Sequence, residues 1–392
     1  MKRMTIIIVL FVTSICMYGQ DIFAPVLQLI EQNSTTLQTL RQQMEADKLQ
    51  HKTGLTPYDP EVEFGYLWGG PAIIGNRKDM SIRQSFDFPT AYIQRSKLAD
   101  LKDNSVEYRY RAERMQLLLA AKELCIELIY INKMRDMYSV QAENAKKILT
   151  AYEKLMQNGE ATRLEYNKAR MNNAAMENEL RHINLERERL LSELAALNCG
   201  QPVSFDALTY TVPVLPTDFE QWYADAEAAN PSLQYLRSQV EVADRQVKVS
   251  QAERLPQMAV GYMGEFVGDE RFQGVTVGVS IPLWQNKNRV KQARAAAIAS
   301  RRQAEDNKVQ YYTHLKSLYQ QVATLQQSVA TYSAAFAEKG NEPLLFKALN
   351  KGELTLLEYL MEKEYYHTCF QKQAQAEKEL ALTWAQLTAF SL

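Results

Sequence analysis

The chain has 392 residues, 45 basic and 46 acidic side chains and a formal net charge of −1. That balance argues against a nucleic-acid binder held by a basic face. With 15 Gly, 12 Pro and 46% hydrophobic residues, a collagenous or disordered chain is excluded and a core-forming, helix-rich protein remains.

Lys2 and Arg3, an apolar run from Thr5 to Ile15 and the small Gly19 make residues 1–20 a secretory signal peptide, too short to span a bilayer. Cys16 follows Ile15 rather than the small residue expected before a lipidated cysteine, so ordinary cleavage is favoured. Cys125, Cys199 and Cys369 form no Cys-x-x-Cys pair and have no His at ligand spacing. They read as small buried thiols on helices, and no metal or cofactor is expected. No later stretch approaches the roughly 18 to 20 apolar residues of a transmembrane helix, so any crossing must be made by β-strands closed into a barrel.

A first structural unit is expected over 21–198. After an opening helix, segments 60–68 and 80–88 alternate with a period of two. Val62, Phe64, Tyr66 and Trp68 lie on one face with Glu61, Glu63, Gly65 and Leu67 opposite; Met80, Ile82, Phe86 and Phe88 oppose Ser81, Arg83, Ser85 and Asp87. A long helix follows over 93–158. Ile93 to Asn158 contains no Gly or Pro and would run for roughly 100 Å as one helix, wider than a globular core. Alternating steps of four and three pick out a coiled-coil seam from Leu117 through Ala121, Leu124, Leu128 and Ile131 to Met156. Gly159 then terminates the helix. Thr162 and Glu165, followed by Tyr166, form a capping-box pattern opening a return helix over 161–197.

Residues 199–229 read as a Pro-marked linker with one short helix near 217–229. The plan then repeats over 230–392: a helix opening at Asn230-Pro231-Ser232-Leu233, strands 256–266 and 274–282, a long helix 285–351 punctuated by Gly340 and Pro343, and a return helix 354–389. Met258, Val260, Tyr262 and Phe266 form the apolar face of one strand, and Val275, Val277, Val279 and Ile281 that of the other. Leu37–Gln43 and Leu233–Gln239 share five residues of seven at an offset of 196. The tip Gly159–Tyr166 recurs as Gly352–Tyr359, with six identities of eight including Gly352, Thr355, Glu358 and Tyr359. Matched blocks in one order indicate an internal duplication.

Four strands cannot close a membrane barrel, which needs about eight, so closure demands an oligomer. Apolar faces would then meet lipid and polar faces a watery lumen, with Trp68, Tyr92, Tyr262, Phe266 and Trp284 suited to interfacial girdles. The competing arrangement is a soluble sandwich of two hairpins.

These features together resemble the TolC family of outer-membrane efflux proteins over essentially the whole mature chain. The resemblance rests on the tandem halves, the Asn-Pro-x-Leu opening, the Pro-x-apolar-x-apolar-Gly-Tyr strand starts, the step Val279-Ser280-Ile281-Pro282-Leu283-Trp284 and the two Gly-x-x-Thr-x-x-acid tips. The first copy departs by having Ser34 where the second has Pro231. What the resemblance implies is a mixed α/β membrane protein. Long antiparallel coiled-coil helices would form a periplasmic tunnel, and four strands per chain would contribute to a 12-stranded barrel in the outer membrane of a Gram-negative cell. It further implies a homotrimer conducting passively for an inner-membrane pump through a periplasmic adaptor. Glu165 and Glu358 would fall near the periplasmic aperture; a second ring acid present in some members is here Met361.

A periplasmic coiled-coil adaptor or scaffold is the alternative of a different class, although an adaptor would place a helical hairpin between lipoyl-like and β-barrel halves. An enzyme is less supported, since His51, His182, His314 and His367 share no motif with a nucleophile and no Gly-x4-Gly-Lys-[Ser/Thr] phosphate loop occurs. The 14 Met read as core filler rather than soft-metal ligands.

Overall fold

The computed structural model describes residues 22–70, 75–284, 286–336 and 341–392. The expected signal peptide, Cys16 and Gly340 lie outside them. In chain order the elements are α1 (Ala24–Asn33), α2 (Thr35–His51), β1 (Glu61–Leu67), β2 (Arg77–Phe86), α3 (Pro89–Gln157), α4 (Arg163–Leu197), α5 (Phe219–Ala229), α6 (Pro231–Ala252), β3 (Gln257–Val267), β4 (Glu270–Ser280), α7 (Arg289–Ala335), α8 (Asn341–Asn350) and α9 (Leu356–Leu387).

The helix starts follow from capping. Ser34 accepts from the Leu37 N–H at 3.5 Å to open α2, and Asn230 Oδ1 accepts from the Leu233 N–H at 3.0 Å to open α6, where Pro231 takes the first turn. Ser34 is therefore the counterpart of Asn230, not of Pro231: both copies keep a capping oxygen, and only the second adds the proline. Asp218 caps α5 in the same way. The long helix expected over 285–351 is described as α7 and α8, ending at Ala335 and starting at Asn341. Pro343 falls in the first turn of α8, a position where a missing N–H leaves no intrahelical bond unmade. Its counterpart α3 runs 69 residues without interruption.

The chain forms two compact units that cut across the two repeats. One comprises the segments through Asn33, Ala121–Pro213 and Glu338–Ala381; the other comprises Ser34–Ala120, Val214–Ala337 and Leu382–Leu392.

The first unit is helical. Its part of α3 buries Ala121, Cys125, Ile126, Leu128, Ile129, Ile131, Met134, Ala145 and Ile148. That stripe is wider than the heptad seam read from the sequence and includes neighbours of the expected Leu124 and Leu149, because α3 is covered on more than one side. The linker packs here as ordered coil. Asn132 Nδ2 donates to the Phe205 and Ala207 carbonyls at 3.2 Å, Tyr210 Oη donates to the Ile126 carbonyl at 3.2 Å, and Phe205 stacks on Phe23. Burial, reinforced by nearby Glu377 and Glu127, pushes the Tyr210 phenol up. Cys199 departs from the buried-thiol expectation: it is exposed at the end of α4 with φ of 58°.

The second unit holds a four-stranded antiparallel sheet in the order β1-β2-β3-β4. Its centre is the pairing of β2 with β3, which joins the two repeats from Arg77↔Val267 to Phe86↔Met258. In the same unit α5 docks on α7 through rings: Tyr223 meets Tyr312 edge-on at 4.9 Å, and Phe219 meets Tyr319 at 5.2 Å. Burial and the neighbouring Glu227 carry the Tyr223 phenol up to about 12.

Where β2 turns into α3, a polar knot fixes the corner. Buried Asp87 accepts from Arg95 Nη1 at 2.6 Å and Gln257 Nε2 at 2.8 Å, while its own N–H donates to Tyr92 Oη at 3.0 Å. Arg95 also reaches Glu253 Oε1 at 3.0 Å, and Arg289 approaches the other oxygen of Glu253 at 3.6 Å. Asp87 thus ties the end of β2 to α3 and β3, and Arg95 extends the tie to the C-cap of α6 at Glu253. Removing the cation leaves buried Asp87 with the Gln257 amide alone and Glu253 with only the more distant Arg289. Arg95→Ala is expected to cost about 3 kcal/mol, the lower end for breaking a buried pair, seen as a lower unfolding midpoint in detergent; Arg95→Lys should recover only part of it.

Candidate functional site

Two places are candidates for function: the faces of the sheet in one unit and the two helical tips in the other.

Register decides which side chains share a sheet face. Val62 stands opposite Ile82, Ile82 opposite Tyr262, and Tyr262 opposite Val275; Phe86, Met258 and Val279 continue the same face one end along. This face is uncovered: Val62, Phe64, Val275, Val277 and Val279 are 62–75% exposed. A soluble sandwich of two hairpins would bury these residues, and the structure instead leaves them open in a single sheet. The opposite face carries Glu63, Ser81, Arg83, Gly261 and Thr276, and Arg77 there pairs with Asp79 at 2.8 Å and Glu265 at 3.1 Å. Gly261 is needed on this crowded side, since a Cβ there would sit 2.7 Å from the Ile82 carbonyl oxygen and 2.8 Å from Thr276 Oγ1. The strands begin earlier than the hydrophobic alternation does, β2 at Arg77 rather than Met80 and β4 at Glu270 rather than Gly274.

The aromatic residues expected at membrane interfaces take different positions. Trp68 and Trp284 are 82% and 80% exposed just beyond β1 and β4, and Trp68 meets Tyr66 edge-on at 5.6 Å. Tyr262 lies mid-strand on the apolar face and donates to Gln273 Oε1 at 2.7 Å, while Phe266 sits near the far end of β3. Tyr92 is engaged in the corner knot, its hydroxyl taken by the Asp87 N–H.

At the tips, Gly159 and Gly352 adopt φ of 78° and 74°, the left-handed conformation that ends a helix at little cost for glycine. Each is followed by a complete reciprocal cap. Thr162 Oγ1 accepts from the Glu165 N–H at 3.2 Å, and Glu165 Oε2 accepts from the Thr162 N–H at 2.8 Å and its hydroxyl at 2.7 Å. Thr355 and Glu358 repeat this arrangement. These bonds hold both carboxyls below the usual carboxylate range, the backbone N–H contributing most and the hydroxyl next. Tyr359, by contrast, is buried with Ile148, Ala169 and Leu356 in a small core, whereas Tyr166 is half-buried. Tyr359 is a packing residue of the tip.

Sequence reasoning missed a lock between α3 and α9. Lys133 pairs with Glu377 and lies over the Tyr210 ring at 5.0 Å; Lys378 pairs with Glu127 at 3.2 Å and lies over the Tyr130 ring at 4.7 Å. The partners are about 250 positions apart, and no local pattern marks them. No helix among the described residues is long and apolar enough to cross a membrane, and no cluster of three or more His, Cys, Asp or Glu side chains there could hold a metal ion.

Residues 222–389 match the family model of outer membrane efflux proteins. No curated protein sequence matches the chain. Among solved structures, the CmeC outer membrane channel of Campylobacter jejuni is similar at 15% identity with a TM-score of 0.76, covering 94% of this chain and 85% of that one. VceC of Vibrio cholerae (15%, 0.70, covering 94% and 93%) and the open state of the MtrE channel of Neisseria gonorrhoeae (13%, 0.71, covering 93% and 88%) are similar in the same way. Over its described length the chain shares the fold of these outer-membrane channels.

The caps set two expectations. Thr355→Ala removes the acceptor for the Glu358 N–H and should cost about 1 kcal/mol in chemical denaturation. Because the folded carboxyls titrate below their ordinary value near 4.5, their stabilisation is full above that pH and is lost as pH falls through the lower folded value. A Glu165→Gln, Glu358→Gln double variant should therefore lose less stability between pH 6 and pH 3 than the parent.

Proposed function

We propose that the chain is the outer-membrane channel of a tripartite efflux system, in which three copies contribute four strands each to a 12-stranded barrel and their helices to a periplasmic tunnel. One observation carries this reading: a single four-stranded sheet with one exposed apolar face, one charged face and two edge strands, β1 and β4. Backbone groups at such edges must be paired before they enter lipid, and pairing β1 of one copy with β4 of the next does so while turning every apolar face outward. Conduction is passive. Energy comes from an inner-membrane pump reached through a periplasmic adaptor that engages the Gly159–Tyr166 and Gly352–Tyr359 tips. The chain performs no chemistry of its own. Trp68 and Trp284 mark interfacial levels of the barrel, with Tyr262 and Phe266 on its lipid face.

Glu358, exposed at the second tip, is placed at the closed aperture. Three copies about a three-fold axis form an anionic ring that favours cations. Glutamine serves in a capping box as glutamate does, so Glu358→Gln removes the charge without removing the cap.

Membrane fractionation should recover the protein as a trimer in the outer membrane, and a soluble periplasmic monomer would overturn the channel reading. In planar bilayers Glu358→Gln should lower cation selectivity; unchanged selectivity and conductance would leave Glu358 a capping residue alone.

A further inference from the structure

We propose that Lys287, Lys291 and Arg294, at the start of α7, form a docking site for the headgroups of anionic phospholipids on the periplasmic rim of the barrel. The inference rests on the membrane reading above.

Val275, Val277 and Val279 share one face of β4 and are 62–75% exposed, and Ile281, Leu283 and Trp284 just beyond the strand are exposed too. The chain turns immediately there, the Lys287 N–H donating to the Trp284 carbonyl at 3.0 Å, so the first cation lies one turn from the tryptophan. Lys291 and Arg294, three apart within α7, share one stripe of the helix, and Lys287 lies in the turn just before it, ahead of the left-handed Asn288. All three are exposed. The buried stripe of α7 is a different one, marked by Ala293 and Ala297 at 2% and 4% exposure.

Charge sets these residues apart. From 286 to 304 the described chain contains six basic residues and no acidic one. Arg289 is engaged by Glu253 and Arg301 by Asp244 at 2.8 Å. Among the described residues, no ion pair or side-chain hydrogen bond engages Lys287, Lys291 or Arg294. The first repeat shows the contrast, since at its strand-to-helix corner Arg95 is consumed by Asp87 and Glu253.

Depth selects the occupant. The five residues of helical rise from Arg289 to Arg294 cover about 7.5 Å, comparable to the roughly 5–7 Å of headgroup on each side of the hydrocarbon. Cations at that level, continuous with a lipid-facing strand and an interfacial tryptophan, meet phosphate. Zwitterionic lipid compensates its own phosphate, whereas phosphatidylglycerol offers a net negative charge.

The test uses the full-length trimer in vesicles containing brominated phosphatidylglycerol or brominated phosphatidylcholine, reading the tryptophan quenching that is lost in Trp284→Phe. Phosphatidylglycerol should quench at lower mole fraction. Lys291→Gln should weaken that preference by about five-fold, the triple Lys287→Gln, Lys291→Gln, Arg294→Gln variant should abolish it, and added salt should reduce it. Arg302→Gln, farther along α7, should leave it unchanged. Equal quenching by the two lipids, or a preference retained in the triple variant, overturns the headgroup site while leaving membrane insertion intact. Absence of quenching by either lipid overturns the membrane reading itself.

Discussion

A sheet with an uncovered apolar face has no stable existence in water, and that constraint governs the molecule. Val62, Phe64, Ile82, Val260, Val275, Val277 and Val279 share the face and are all more than two-fifths exposed. At about 2 kcal/mol for each such side chain, their removal from water is worth roughly 10–15 kcal/mol, as much as the whole net stability of an ordinary domain. The chain's own core does not supply that burial. In the channel proposed above lipid supplies it, once the edge strands are paired as well.

The remaining structure delivers this sheet and holds it in register. The Asp87–Arg95–Glu253 knot fixes the angle at which α3 leaves β2, and its residues come from both repeats, so neither half builds the corner alone. The ring contacts of α5 with α7 brace the same unit. In the other unit the helix pairs close on Tyr359 and on the paired lysines of the α3–α9 lock. There the reciprocal Thr–Glu caps satisfy helix ends that would otherwise expose bare N–H groups.

Much of this was legible in the sequence because it is local. Strand alternation, the absence of Gly and Pro in α3 after its opening Pro89, and both Gly-x-x-Thr-x-x-Glu tips depend on residues within a few positions of one another. Strand starts were misjudged because ladder bonds involve the backbone: Arg77, Lys78 and Asp79 extend β2, and Glu270, Arg271 and Gln273 extend β4, although their side chains break the apolar run. The heptad seam was too narrow because a helix covered on several sides buries more than one stripe. Tyr92 looked like an interfacial aromatic, but its hydroxyl serves Asp87. The cross-repeat bonds of the polar knot, from Arg95 to Glu253 and from Gln257 to Asp87, and the lysine locks were illegible, since their partners are separated by roughly 160 to 250 positions. The duplication misled in one detail, for aligning Ser34 with Pro231 hid the fact that Ser34 and Asn230 do the same capping work.

The pairing of β2 with β3 also dictates when the protein can fold. Arg77 meets Val267 across 190 residues of chain, so the central ladder cannot form until nearly seven-tenths of the polypeptide has emerged. Until then the β1–β2 hairpin has an unpaired inner edge and a bare apolar face, the two properties that drive intermolecular strand addition. Pairing at such separation is also intrinsically slow. The architecture thus imposes a waiting period on its own most aggregation-prone segment.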